Sequence, residues 1–319
     1  MRLFTAIAVF FVAVSAPAQR WDLQSNFWVN LHQALYDEAQ SGKHFEAQGV
    51  TDLETKLWRD AVNTYRVRFY DRSPIFDDEL VRINDALSAA TDLPPEGFAE
   101  PVTKALLSAA PVYRKYRWAA DDRSNKFWIS VAGAMLRDAG EELARDHGRA
   151  YGVAFPAKVR VDVSATAGTF GAYTSDSGSL IHTIISSRDP RYQGYAALEM
   201  LLHEASHAIA GAASGAIGTE IANVGRNSTP KLLPPRELWH AILYYTSGEL
   251  TRRALAERGI DDYTPYMYKQ QMFDRAFFGL RDPLETYWLT YLDGKMQRDA
   301  AITAIVQATA NQAPPRNGG

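Results

Sequence analysis

The sequence predicts an α+β protein, predominantly helical, with one small β-sheet set between helical segments. Three observations carry this. Apolar residues recur at helical spacing through most of residues 21–150. Two short stretches, 158–164 and 180–186, have strand character, and the first alternates polar and apolar residues with period two. Helical patterning then resumes at residue 195 and continues to about 309.

Trp28, Leu31, Leu35 and Tyr36 open the helical part, and residues 53–70 and 77–90 continue in the same style. Pro94, Pro95 and Pro101 punctuate it. Residues 127–147 form a further amphipathic segment, with Trp128, Val131, Met135 and Leu143 on related faces. The pattern changes near Pro156. Residues 158–164 read as a half-buried strand, 167–179 as a Gly/Ser/Thr-rich loop or hairpin, and 180–186 as a second strand that Asp189-Pro190 ends. An Ala-rich helix is expected over 195–213, then a loop over 218–233. Pro234-Pro235 should open the next helix, because proline suits the first helical position, and Gly259 should close it just after Arg258. One or two aromatic-rich helices follow in 264–309. No clean linker is visible. The expected organisation is a single domain over 19–312: an N-terminal helical lobe (19–150), a core (156–260), and C-terminal helices (261–312). Residues 313–319 should form a disordered tail.

The chain has 319 residues, 46% hydrophobic and 22% charged, which excludes collagen-like and low-complexity classes. A net charge of −3 offers no basic excess to neutralise phosphates, so nucleic acid is not an expected partner. Arg2, an apolar run over 3–14 and the small residues Ala16-Pro17-Ala18 read as a signal peptide cut after Ala18, which places the chain in a secreted or periplasmic setting. The run is shorter than the ~20 residues a membrane span needs, and no later stretch is long enough, so no span is expected after cleavage. The chain contains no cysteine. A metal site must therefore use His, Asp, Glu or Tyr. Nothing in the sequence sets an oligomeric state.

The informative residues are His203-Glu204-Ala205-Ser206-His207. On a helix, positions i and i+4 lie on one face, so both imidazoles can reach one metal ion. Glu204 is one residue further round, beside the metal, where a carboxylate can accept a proton from an activated water. Two histidines and a glutamate within five positions are unusual on a buried helix, because each needs a partner.

A catalytic zinc site has three protein ligands and a water. The helix after Pro235 carries Glu237, His240 and Tyr244 on one face, with Leu238, Ile242 and Tyr245 opposite. His240 is the favoured third ligand, because a neutral imidazole costs less to bury than a carboxylate. Glu237 would then orient it, or would ligate in its place. Glu220 and Glu249 are further candidates. Tyr244 or Tyr245 could donate a hydrogen bond to an oxyanion. Glu199, one turn before His203, could be a supporting carboxylate or part of a solvated face. His182 is expected to be solvated or to face a cleft. Asn30 and His32 are expected to satisfy buried groups.

With His203, Glu204 and His207 in place, the chain resembles the zincin metallopeptidases, the superfamily with the His-Glu-x-x-His motif. The resemblance is strict over five residues and looser over 160–258. It implies zinc on His203 and His207, Glu204 as general base, and residues 180–186 as an edge strand along the cleft that pairs with an extended substrate. In the gluzincin branch the third ligand is a Glu on a later helix, which would be Glu237. The Gly-x-x-His of metzincins is absent, since Ala208-Ile209-Ala210-Gly211 follows His207. The expected function is a secreted zinc-dependent hydrolase acting on a peptide or protein substrate. The alternative is a catalytically silent zincin-fold protein that binds a peptide or a cell-envelope fragment.

Overall fold

A computed structural model describes residues 20–43, 45–91, 97–178, 180–211 and 214–310. The expected signal peptide and the expected tail lie outside the described residues. The structure is predominantly helical with one four-stranded mixed sheet, as an α+β fold requires.

The chain begins with a short strand, β1 (Trp21–Gln24), in a region that read as helical. Four residues are too few to display a period. Helix α1 (Phe27–Ser41) follows, capped by the Asn26 side chain, which accepts from Trp28 N and Val29 N. A capping box between Thr51 and Glu54 starts α2 (Asp52–Phe69), and Asp77 caps α3 (Asp78–Ser88). Helices α4 (Glu100–Tyr113), α5 (Ala119–Met135) and α6 (Glu141–Tyr151) run on without a break through two π-helical turns, Arg114–Trp118 and Leu136–Gly140. The second π turn shifts the helical faces within 127–147. Trp128 and Leu143 are buried there, while Val131 is exposed.

Strands β2 (Val159–Ser164), β3 (Ala172–Asp176) and β4 (Ile181–Ser186) complete the sheet in the order β1-β2-β4-β3. Only the β3–β4 pair is antiparallel, which makes 167–179 part of a hairpin. Two expectations change here. The 180–186 strand is not an edge: β4 is paired on both sides, and the sheet edges are β1 and β3. The 158–164 strand is not half-buried either, because both faces are covered. Val159, Val161, Val163 and Ile185 face α5 and α7 (Tyr195–Ala210), whereas Ile184 and Tyr173 pack among the residues of α1–α4. Arg160 and Asp162 of β2 are satisfied by ion pairs with each other and with His182.

Helix α7 ends at Ala210, before the expected 213. Helix α8 (Ala216–Asn227) then occupies most of the stretch that read as a loop. Gly218, Thr219, Asn223 and Gly225 give it poor intrinsic propensity. Burial of Ile217 and Ile221 in the C-terminal core overrides that preference. Helix α9 (Leu238–Ala256) starts three residues after Pro235, following a turn in which Leu238 N donates to the Pro235 carbonyl. Gly259 ends it at φ +79°. The C-terminal part consists of four short helices, α10 (Tyr266–Lys269), α11 (Met272–Arg275), α12 (Arg281–Pro283) and α13 (Leu289–Leu292), a π turn at Leu284–Trp288, and α14 (Arg298–Thr309). No described helix is long and apolar enough to cross a membrane.

Candidate metal centre

Helices α7 and α9 pack against each other, and that contact builds the site. Helix α7 is rich in Ala, Leu and Met, buried along most of its length, and therefore held rigidly between the sheet and α9. It presents His203 and His207 on one face. The first turn of α9 presents His240 to them.

The three imidazoles converge through Nε2. His203 Nε2 lies 3.2 Å from His207 Nε2 and 3.4 Å from His240 Nε2. One donor atom from each ring lies within 4.8 Å of the others. A tetrahedral zinc with Zn–N of about 2.0–2.1 Å has ligand nitrogens about 3.3–3.4 Å apart. The two separations from His203 sit on that edge length, and the third pair lies within 4.8 Å. Burial and the neighbouring imidazoles hold His203 well below the usual histidine range, and burial pushes His207 down to about 3. Both rings are therefore neutral at physiological pH, which is the form that binds a metal. The donor chemistry and spacing fit a divalent ion with one open position.

An aromatic frame fixes these rings. Tyr244 stacks on His203 with centroids 3.8 Å apart and planes 24° from parallel. Trp239 stacks on His240 and meets His207 edge-on. Phe277 contacts both His240 and Tyr244.

Glu204 is 5% exposed and does not join the imidazole cluster. Its Oε2 accepts a 2.9 Å hydrogen bond from Thr174 Oγ1 on β3. Burial pushes its pKa up to about 7, and the Thr174 hydrogen bond offsets part of that rise. A carboxylate poised near neutrality suits proton transfer in either direction.

The remaining sequence candidates fall elsewhere. Glu237 is not on a buried face. It precedes the first helical residue of α9, is exposed, and lies 3.9 Å from His240 Nδ1, a loose ion-pair distance. Glu220 is helical rather than in a loop and pairs with Arg298. Glu249 binds Arg252 and Arg253. Tyr245 is buried in the C-terminal core, so only Tyr244 of the adjacent pair faces the histidines. Glu199 is fully buried rather than solvated, and it accepts from Tyr263 Oη and Tyr266 N, not from a ligand imidazole. His182 neither reaches a cleft nor meets solvent: its two ring nitrogens lie 2.9 Å from Asp85 and Asp162. Asn30 and His32 satisfy buried groups, Asn30 at the end of β2 and His32 on Tyr65.

Thr174, Trp239 and Phe277 were not legible as site residues. Trp239 adjoins His240 in sequence, which was the one available signal. Thr174 and Phe277 reach the site only through strand pairing and chain reversal. The chain matches no protein-family model, no curated protein and no solved structure.

Proposed function

We propose that this protein is an exported zinc-dependent hydrolase of zincin type that acts on peptides, with residues 1–18 removed on export. One observation carries the proposal: His203 Nε2 lies at zinc-ligand spacing from the Nε2 atoms of both His207 and His240 on two packed helices, with a buried, near-neutral carboxylate next to His203 in sequence. His203, His207 and His240 would hold the ion. Zinc there would supply Lewis acidity, polarising a carbonyl and making a water acidic enough to attack it. Glu204 accepts the proton that this water releases and hands it to the leaving amine. Tyr244 is kept protonated by burial and by the charge of Glu204, so it can donate a hydrogen bond to the developing oxyanion. The substrate-pairing strand that the resemblance placed at 180–186 would be β3, the sheet edge that lies against α7. A three-imidazole set departs from the gluzincin pattern, in which Glu supplies the third ligand.

The test is hydrolysis of a mixed peptide library by the zinc-loaded protein, with and without chelator, beside Glu204→Gln. The Gln variant is expected to bind zinc like the parent and to lose about a hundredfold or more in turnover. Parental turnover in Glu204→Gln would remove Glu204 as the base. Stoichiometric zinc without chelator-sensitive hydrolysis would favour the silent, ligand-binding reading.

A further inference from the structure

The catalytic role proposed for Glu204 needs one of its oxygens held in a fixed place, and a side chain with three rotatable bonds does not provide that by itself. The structure supplies the restraint from the sheet. Thr174 on β3 and Thr183 on β4 are register partners across the antiparallel pair. Ser186 N donates to the Gly171 carbonyl and Ser177 N to the Leu180 carbonyl, which marks 171/186 and 177/180 as hydrogen-bonded pairs. Antiparallel pairing alternates, so 174/183 is a non-hydrogen-bonded pair, the kind in which facing side chains stand closest. Their hydroxyls accordingly meet, with Oγ1 atoms 2.8 Å apart.

Proton counting sets the direction. Each hydroxyl carries one proton. Thr174 gives its own to Glu204 Oε2 at 2.9 Å. The short contact between the two threonines must therefore use the proton of Thr183, donated to Thr174. The result is a one-way relay, Thr183 to Thr174 to Glu204, that occupies Oε2. Both threonines are β-branched and stiff at χ1, and both are buried on paired strands. Among the described residues, no other hydrogen bond to the Glu204 carboxylate is seen.

We propose that Thr174, aligned by Thr183, is a positioning residue: it engages Oε2 and leaves Oε1 as the oxygen that exchanges the proton with the reacting water and amine. The inference rests on the reading of Glu204 as general base. Displacing a reacting group by about 1 Å costs on the order of a hundredfold in rate. A freed Glu204 still reaches good geometry part of the time, so the expected loss is smaller than that.

Thr174→Val keeps the shape and removes the donor, while Thr174→Ser keeps the donor. On the zinc-loaded protein, Thr174→Val should lower kcat roughly tenfold with KM nearly unchanged. Thr174→Ser should recover most of the loss, and zinc affinity should match the parent in both. A second readout needs no substrate. Acetohydroxamic acid chelates the metal and gives up its proton to a carboxylate beside it, so calorimetry of its binding reports the placement of Glu204. Its affinity should fall several-fold in Thr174→Val, recover in Thr174→Ser, and fall further in Glu204→Gln. If Glu204→Gln abolishes turnover while Thr174→Val keeps parental kcat and parental acetohydroxamate affinity, the relay is wrong and the base stands. If Glu204→Gln leaves both readouts unchanged, the base assignment itself is wrong. If the parent hydrolyses nothing, the acetohydroxamate arm alone decides, and equal affinity in Thr174→Val and parent overturns the proposal. Should Thr174→Val not fold, Thr183→Val breaks the relay one bond further away, and the same two readouts apply to it.

Discussion

Glu199→Gln removes a buried proton-binding group one turn from the histidine cluster. Glu199 is fully buried on α7, with its carboxylate on Tyr263 Oη at 2.5 Å and on Tyr266 N at 3.0–3.1 Å. Burial pushes its pKa up to about 7 from an ordinary 4.5, with the two hydrogen bonds pulling the other way. The folded protein therefore keeps a proton between about 4.5 and 7 that the unfolded chain gives up. The associated stability is fully present below about 4.5 and is lost as pH rises through about 7. A displacement of about 2.5 units corresponds to about 3 kcal/mol. Gln cannot titrate, and its amide oxygen still accepts from Tyr266 N. In urea unfolding of the metal-free proteins, the parent should thus lose about 3 kcal/mol of stability relative to the variant as pH rises from about 4.5 to 8. Glu204, His203 and His207 titrate in both proteins and cancel in the difference. Curves that stay parallel across the window would refute the argument.

His240→Ala should lower zinc affinity sharply. Glu237→Gln should cost no more than the roughly 10–100-fold of an outer partner, because Glu237 is exposed and only loosely near His240; zinc titrations of the two variants decide. His182 donates from both ring nitrogens, so it should titrate above the ordinary histidine value: burial pulls its pKa down, but Asp162 and Asp85 outweigh burial. Its stabilising contribution is present below about 6.5 and is lost as pH rises through the raised folded value, so His182→Gln should flatten that part of the stability curve; an NMR titration midpoint for His182 below 6.5 would contradict this. Gly248→Ala should destabilise α9, because a Cβ there would lie 2.7 Å from Pro265 Cβ and 3.2 Å from Glu199 Oε1; an unchanged melting temperature would show that this contact relaxes freely.

The two imidazoles of α7 were legible because helical periodicity alone puts positions 203 and 207 on one face. His240 was legible once residue chemistry was weighed, because it is the imidazole within the first turn of the next long helix. Glu237 misled by one helical turn: α9 begins at Leu238 after a turn, so the residue that periodicity placed on the buried face lies outside the helix. The sheet was harder to read. Strand character at 180–186 was visible, but strand order was not, because β1 pairs with β2 across more than a hundred residues of chain. The strand next to β4 was hidden for another reason, since 167–179 read only as a loop or hairpin; its β3 covers the outer side of β4 and brings Thr174 to Glu204. Helix α8 was missed because its Gly and Asn content argues for a loop locally, and only the buried Ile217 and Ile221 reverse that.

If His203, His207 and His240 together hold one zinc ion, X-ray absorption on the zinc-loaded protein, beside the same measurement on His240→Ala, will report it. One zinc per chain is expected, with three nitrogen ligands at about 2.0–2.1 Å in the parent and one nitrogen fewer in the variant. A chain that retains no stoichiometric zinc, or a coordination shell unchanged by His240→Ala, would contradict it.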